Sequence, residues 1–303
     1  MRKLILHCLT IFSIVVLFSA CSGSIDSGDL EKKSAKEEIA FTPKEGVYES
    51  ARKENIKKIF HALPSPVEMA DLIKKTGSSF DKTYLNDPKN ASKYVTSAQQ
   101  AMNLGIYGAD LSYTSIFQQD RQSLNYLFAV QEIAKALDVE ASIDKKVFDR
   151  LKGNQGNQDS LMSIITETYW TINAYLKENE SREETSALVV AGGWIEGLHL
   201  AGKHYIPGNL ELHERIAEQK YALDNLVNLM NTYDSASLDG IKIDLKEIQA
   251  LYAEVEIIKG KTSKEKDALG VVVIGGSKEV SMDDVTLQKV LSKIKDIRNK
   301  YIN

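Results

Sequence analysis

Residues 191–205 read AGGWIEGLHLAGKHY, and the fold turns on how this stretch is read. At 100° per residue, Gly193, Gly197 and Ala201 form a stripe of small residues at four-residue spacing, with Trp194, Leu198 and Tyr205 beyond it. A second narrow stripe carries Thr185, Gly192, Glu196, His199 and Lys203. Each glycine costs up to about 1 kcal/mol of helix propensity relative to alanine. A helix with several of them needs a neighbour whose backbone approaches closely enough to offset that cost.

Residues 97–117, SAQQAMNLGIYGADLSYTSIF, have the same layout. Ala98, Ala101, Gly105, Gly108, Ala109 and Ser112 share a small face. Gln99, Asn103, Asp110 and Thr114 lie opposite, with Tyr107 at the edge. Close helix packing is therefore expected at Gly105, Gly108, Gly193 and Gly197. A ligand groove between the two helices would be lined by Asp110, Glu196, His199, Asn103 and Tyr107. Asp110 is the one charge between Lys93 and Asp120, and an ionised carboxylate buried there needs donors or a cation.

The polar stripe also admits other readings. Glu196 and His199 have the i, i+3 spacing of a Glu-x-x-His ligand pair, but the chain has no second such pair and no His-x-x-x-His. No metal and no cofactor is assigned. Asp110 and Glu196 facing one cavity would form a carboxylate pair for acid–base chemistry, which, with His199, defines an enzymatic alternative. The plainer reading is a solvated or hydrogen-bonded stripe. The 13 tyrosines fit a core-to-surface role, with Tyr84, Tyr94, Tyr107 and Tyr113 flanking the interior helices. His61, His204 and His213 read as ordinary surface or boundary residues.

Helix signals extend outward in both directions. Ser65, Pro66 and Glu68 form a start and Gly77 a stop; Asp120 caps the next long helix; Ser181 and Glu184 make a capping box before the opening stretch. Pro207 and Gly208 end that helix. EVEIIKGKTS (254–263) and GVVVIGG (270–276) are β-branched runs that read as a hairpin, and Ser281 with Asp284 opens a last helix. The fold class is all-α: an antiparallel multi-helix bundle or helical-hairpin array of eight to nine helices, with one small β-hairpin near the C-terminus. Five prolines in 303 residues agree with this.

MRKLILHCLTIFSIVVLFSAC, residues 1–21, has a basic start, an apolar stretch and a small pair before a cysteine. It is short for a membrane span. FSAC resembles a bacterial lipobox, with Phe18 where leucine is usual, and that resemblance implies acylation of Cys21. Residues 1–20 are then a lipoprotein signal peptide, 21–55 a flexible polar tether and 56–303 a single α-helical domain. Cys8 leaves with the signal, so the body has no disulfide or thiolate metal site. With 38 basic and 42 acidic residues and no basic face, nucleic acid is not an expected partner.

LGIYGADLSY (104–113), TYWTINAYLKEN (168–179) and VAGGWIEGLHLA (190–201) resemble a family of Bacteroidetes cell-envelope lipoproteins that brings no assigned activity. The resemblance implies a lipid-anchored protein of the bacterial envelope, in the outer membrane, with a helical body. The expected function is a non-enzymatic binding or scaffold module, held to the membrane through acylated Cys21, with an envelope protein or a small ligand as partner. The alternatives are the carboxylate- or metal-dependent enzyme using Asp110, Glu196 and His199, and a structural partner of another envelope protein.

Overall fold

The computed structural model describes residues 54, 58–59, 63–139, 145–154, 156–178, 182–266 and 272–303. The expected signal peptide and most of the tether, Cys21 included, lie outside these residues. The body is all-α. Nine α-helices are present among the described residues: α1 Pro66–Lys75, α2 Ser97–Ile116, α3 Asp120–Ala136, α4 Lys145–Gly153, α5 Gln158–Glu178, α6 Glu183–His204, α7 Leu210–Asn231, α8 Asp239–Leu251 and α9 Asp284–Ile302. Strands β1 Glu256–Lys266 and β2 Val272–Ser281 pair antiparallel, with Glu256 opposite Ser281 and Lys266 opposite Val272. Among the described residues no helix is long and apolar enough to cross a membrane.

The fold is organised on α2 and α6, which make the most extensive contact between helices. A Cβ at Gly105 would collide with the Val189 carbonyl, and a Cβ at Gly192 with the Met102 carbonyl. Each helix therefore uses a glycine to admit a carbonyl of the other. Pairing 102 with 192 and 105 with 189 runs the two helices antiparallel. Gly193 adds to this seam, since a Cβ there would lie 3.1 Å from Pro66 Cγ and 3.5 Å from the Gly105 carbonyl oxygen.

The expectation of close packing fails at two positions. A Cβ at Gly197 would lie 3.7 Å from the Met69 side chain, an ordinary van der Waals distance, and one at Gly108 would meet nothing within 4 Å. Gly108 instead borders a small apolar cavity of about 50 Å³ with Leu104, Leu127, Ile165 and Val189. Gly192, placed with the polar stripe by its wheel angle, is the second glycine of the notch. The reason is that α6 is covered on every side. All residues from Ser186 to Ala201 are buried, so no face of it is solvated.

Local signals mark the helix ends, though not always through the expected residue. Thr96 and Gln99 form a reciprocal capping box on α2. Gly77 adopts φ +79° after α1, as a left-handed stop requires. Pro66 occupies the first turn of α1, but the Ser65 hydroxyl makes no cap bond. Gln119, not Asp120, occupies the cap position of α3, and Asp120 contributes as first-turn acid. Arg182 precedes α6 without a side-chain cap, and Ser181 lies outside the described residues. Asp283, not Ser281, caps α9 by accepting from Thr286 N. Only at α9 does a neighbouring residue supply the capping bond; the cap positions of α3 and α6 make none.

A pinned strap and its cleft as the candidate functional site

Between α1 and α2 the chain runs through residues 80–94 as a strap with two 3-10 turns, Lys82–Tyr84 and Pro88–Lys93. Irregular backbone laid against a core must find partners for its N–H and C=O groups. Four buried side chains from the helices supply them. Asp81 N donates to Tyr113 Oη at 3.0 Å, and Tyr84 O accepts from Arg298 Nη2 at 3.1 Å. Asn86 N donates to Asp110 Oδ2 at 3.1 Å, and Asp87 O accepts from Tyr107 Oη at 2.9 Å. His199 lies beside the same backbone at Tyr84.

Beneath these bonds lies an ionic centre. Arg298 of α9 meets Glu196 of α6 with two bonds, Nε to Oε2 at 2.5 Å and Nη2 to Oε1 at 2.8 Å. Both residues are buried, Glu196 completely. Bidentate geometry of this kind is the strongest form of an ion pair. Asp110 is equally inaccessible and lies close enough to Glu196 for the two carboxyls to perturb each other. Burial and the charge of Glu196 push Asp110 well above the usual carboxylate range. Burial also acts upward on Glu196, but the Arg298 charge and hydrogen bonds outweigh it and hold Glu196 low. Asp110 therefore keeps its proton, and its Oδ1 has no hydrogen-bond partner among the described residues. Burial lowers His199 to about 4, so it is a neutral imidazole near pH 7.

Asn103 and Asn86 extend the network to the end of α9. Asn86 Nδ2 donates to Tyr94 Oη at 3.0 Å and to Asn103 Oδ1 at 3.3 Å. Asn103 Nδ2 donates to Tyr301 O at 2.9 Å and Tyr94 Oη to Ile302 O at 3.2 Å. These last two bonds satisfy carbonyls in the final turn of α9, which have no partner within the helix. On the other side of α9, Asp244 of α8 accepts from Lys300 Nζ and from Tyr301 Oη at 2.6 Å. His204, partly buried at the end of α6, has its Nε2 2.8 Å from Tyr113 Oη.

The five residues expected to line a ligand groove are thus assembled in one place, but not as a groove. Asp110, Glu196, Asn103 and Tyr107 have essentially no solvent exposure and His199 has 6%. The carbonyl-in-glycine contact closes the space between α2 and α6 that a groove would occupy. Among the described residues no three His, Cys, Asp or Glu side chains converge as metal ligands. Sequence reasoning missed Arg298 and Asn86. Arg298 was detectable in principle: it continues the apolar positions Leu287, Leu291 and Ile294 of α9, and a charge on such a stripe calls for a buried partner.

The open concavity lies on the outer side of the strap. It is a cleft of about 580 Å³ between the strap and α3, within the range of small-molecule sites. Lys82, Thr83, Asp87 and Lys89 border it from the strap, and Gln122, Asn125, Phe128 and Glu132 from α3. Tyr126 lines it as well and is otherwise buried, packed on the Tyr107 ring at 6.1 Å. Phe128 is 62% exposed. Asp87 Oδ1 accepts from Lys89 N, which fixes the second turn. The ends of Lys82, Lys89, Gln122, Asn125 and Glu132 make no side-chain bond to another described residue. The sequence held no periodic signal for this cleft, because one wall is irregular chain.

No known protein family, curated protein or solved structure matches the chain.

Proposed function

We propose that this protein is a non-enzymatic binding module of the bacterial cell envelope, anchored in the outer membrane through acylated Cys21, and that its recognition surface is the strap–α3 cleft. One observation carries the binding reading. Four backbone groups between Asp81 and Asp87 are pegged from beneath by buried side chains, while the ends of Lys82, Lys89, Gln122, Asn125 and Glu132 at the cleft make no side-chain bond to another described residue. Loops that carry recognition are commonly positioned by a rigid scaffold, and a site held rigid before binding pays less ordering entropy. The buried acids, arginine and histidine act as the supporting layer for that loop.

The enzymatic alternative asks Asp110, Glu196 and His199 to meet a substrate. Glu196 is committed to Arg298 and Asp110 Oδ2 to the strap backbone at Asn86, and all three residues are closed off from solvent. That arrangement favours a structural role. The anchor has its support in the basic start, the apolar stretch and the FSAC string. Two acyl chains, at about 0.8 kcal/mol per buried methylene, suffice for stable anchoring.

Two measurements test the proposal. Cys21→Ala should move the protein from the detergent phase to the aqueous phase, and an unchanged partition would refute the anchor. Soluble envelope extract should slow backbone hydrogen exchange in residues 82–93 and 120–132. Slowing confined to other segments, or none, would refute the cleft.

A further inference from the structure

We propose that the cleft takes an uncharged oligosaccharide; this deepens the binding reading and rests on it. The first argument is charge. Lys82 and Lys89 are balanced by Asp87 and Glu132 around the same space, so no net field selects an anion or a cation. The second is hydrogen bonding. A sugar hydroxyl both donates and accepts, and so do the amides of Gln122 and Asn125, each of which carries both kinds of group. Lysine ammonium groups add donors from the strap wall and Glu132 adds acceptors from the α3 wall. The third is the Phe128 ring, which presents an apolar face to solvent at the cleft, suited to the C–H face of a pyranose.

The strap disfavours a peptide. Binding an extended peptide by strand addition needs a row of unpaired backbone groups. Here Asp81 N, Tyr84 O, Asn86 N and Asp87 O are already bonded to the core. What remains outward is side chains of mixed polarity. A rigid wall with fixed donor and acceptor positions suits a ligand recognised hydroxyl by hydroxyl.

The test uses the full chain in detergent, run in native gels cast with soluble glucan, mannan, galactan or xylan, and separately with polygalacturonate. Casein peptides are tested in parallel by fluorescence polarisation. At least one neutral polysaccharide should retard the protein. Phe128→Ala and Asn125→Ala should each weaken that retardation at least tenfold while leaving the thermal melt unchanged. Failure of all neutral polysaccharides overturns the proposal, as does retardation by polygalacturonate alone. Peptide binding that is lost in Phe128→Ala would reject the sugar and keep the cleft. Retardation that neither variant weakens would reject the cleft itself.

Discussion

Replacing Glu196 by glutamine removes one charge from the sealed centre and changes the shape of the side chain very little. Arg298, buried and held by two bonds to Glu196 at 2.5 and 2.8 Å, then faces an uncharged amide. Breaking a buried pair from one side costs about 3–5 kcal/mol, because the remaining charge is left uncompensated. The structure offers a partial rescue. Asp110 holds its proton because of burial and because Glu196 beside it is charged. With that charge gone and Arg298 near, Asp110 ionises in its place, so the loss falls near the lower limit, about 3 kcal/mol. Asp110→Asn should behave differently. The amide keeps an acceptor for Asn86 N and a donor towards Glu196, as the protonated acid does, so less than about 1 kcal/mol is lost. In the double variant the rescue is blocked, and the total loss should exceed the sum of the two single losses by at least about 1 kcal/mol. Urea unfolding at pH 7, read from midpoints at constant m, measures all three. Equal losses for the two single variants, or strict additivity, would refute the assignment of the proton to Asp110.

Acid should weaken the fold through His199, which burial holds at about 4 rather than 6.5. As pH falls below 6.5 the unfolded chain binds a proton that the native imidazole refuses until about 4, so stability is full above that window and declines through it, by roughly 3 kcal/mol. Asp110 acts with the opposite sign, its contribution fading as pH rises through its raised native value, so the comparison is with His199→Gln: its stability should change less between pH 7 and 4, and identical slopes would sink the claim. The glycines separate cleanly by calorimetry: Gly105→Ala and Gly192→Ala should each cost on the order of 3 kcal/mol because a neighbouring carbonyl occupies the Cβ position, whereas Gly108→Ala should stabilise by up to about 1 kcal/mol. Similar melting temperatures for all three would contradict the notch. Tyr107→Phe removes the bond to Asp87 O and should lose about 1 kcal/mol while speeding hydrogen exchange selectively in residues 82–93; uniform speeding across the helices would show that the strap is not a separate unit.

Helical periodicity, capping residues and glycine spacing were legible in the sequence because they act within a few turns of chain. They placed a helix on residues 97–117, where α2 runs from Ser97 to Ile116, and they marked Gly105 and Gly193 as unusual. They also brought forward Asp110, Glu196, His199, Asn103 and Tyr107, all of which meet in one network. What they missed was that network's purpose. A wheel assigns faces to a single helix and presumes that one face is wet. The face of Glu196 is dry because α9 arrives there, and the partner it brings, Arg298, lies 102 residues away in the chain. Asn86 and the strap escaped for a related reason: irregular backbone has no period, and its placement follows from which buried groups it must satisfy. The sequence by itself determined the helices and which residues were costly to place. The tertiary structure alone decided that those residues serve each other and the strap, since burial and charge pairing depend on elements distant along the chain.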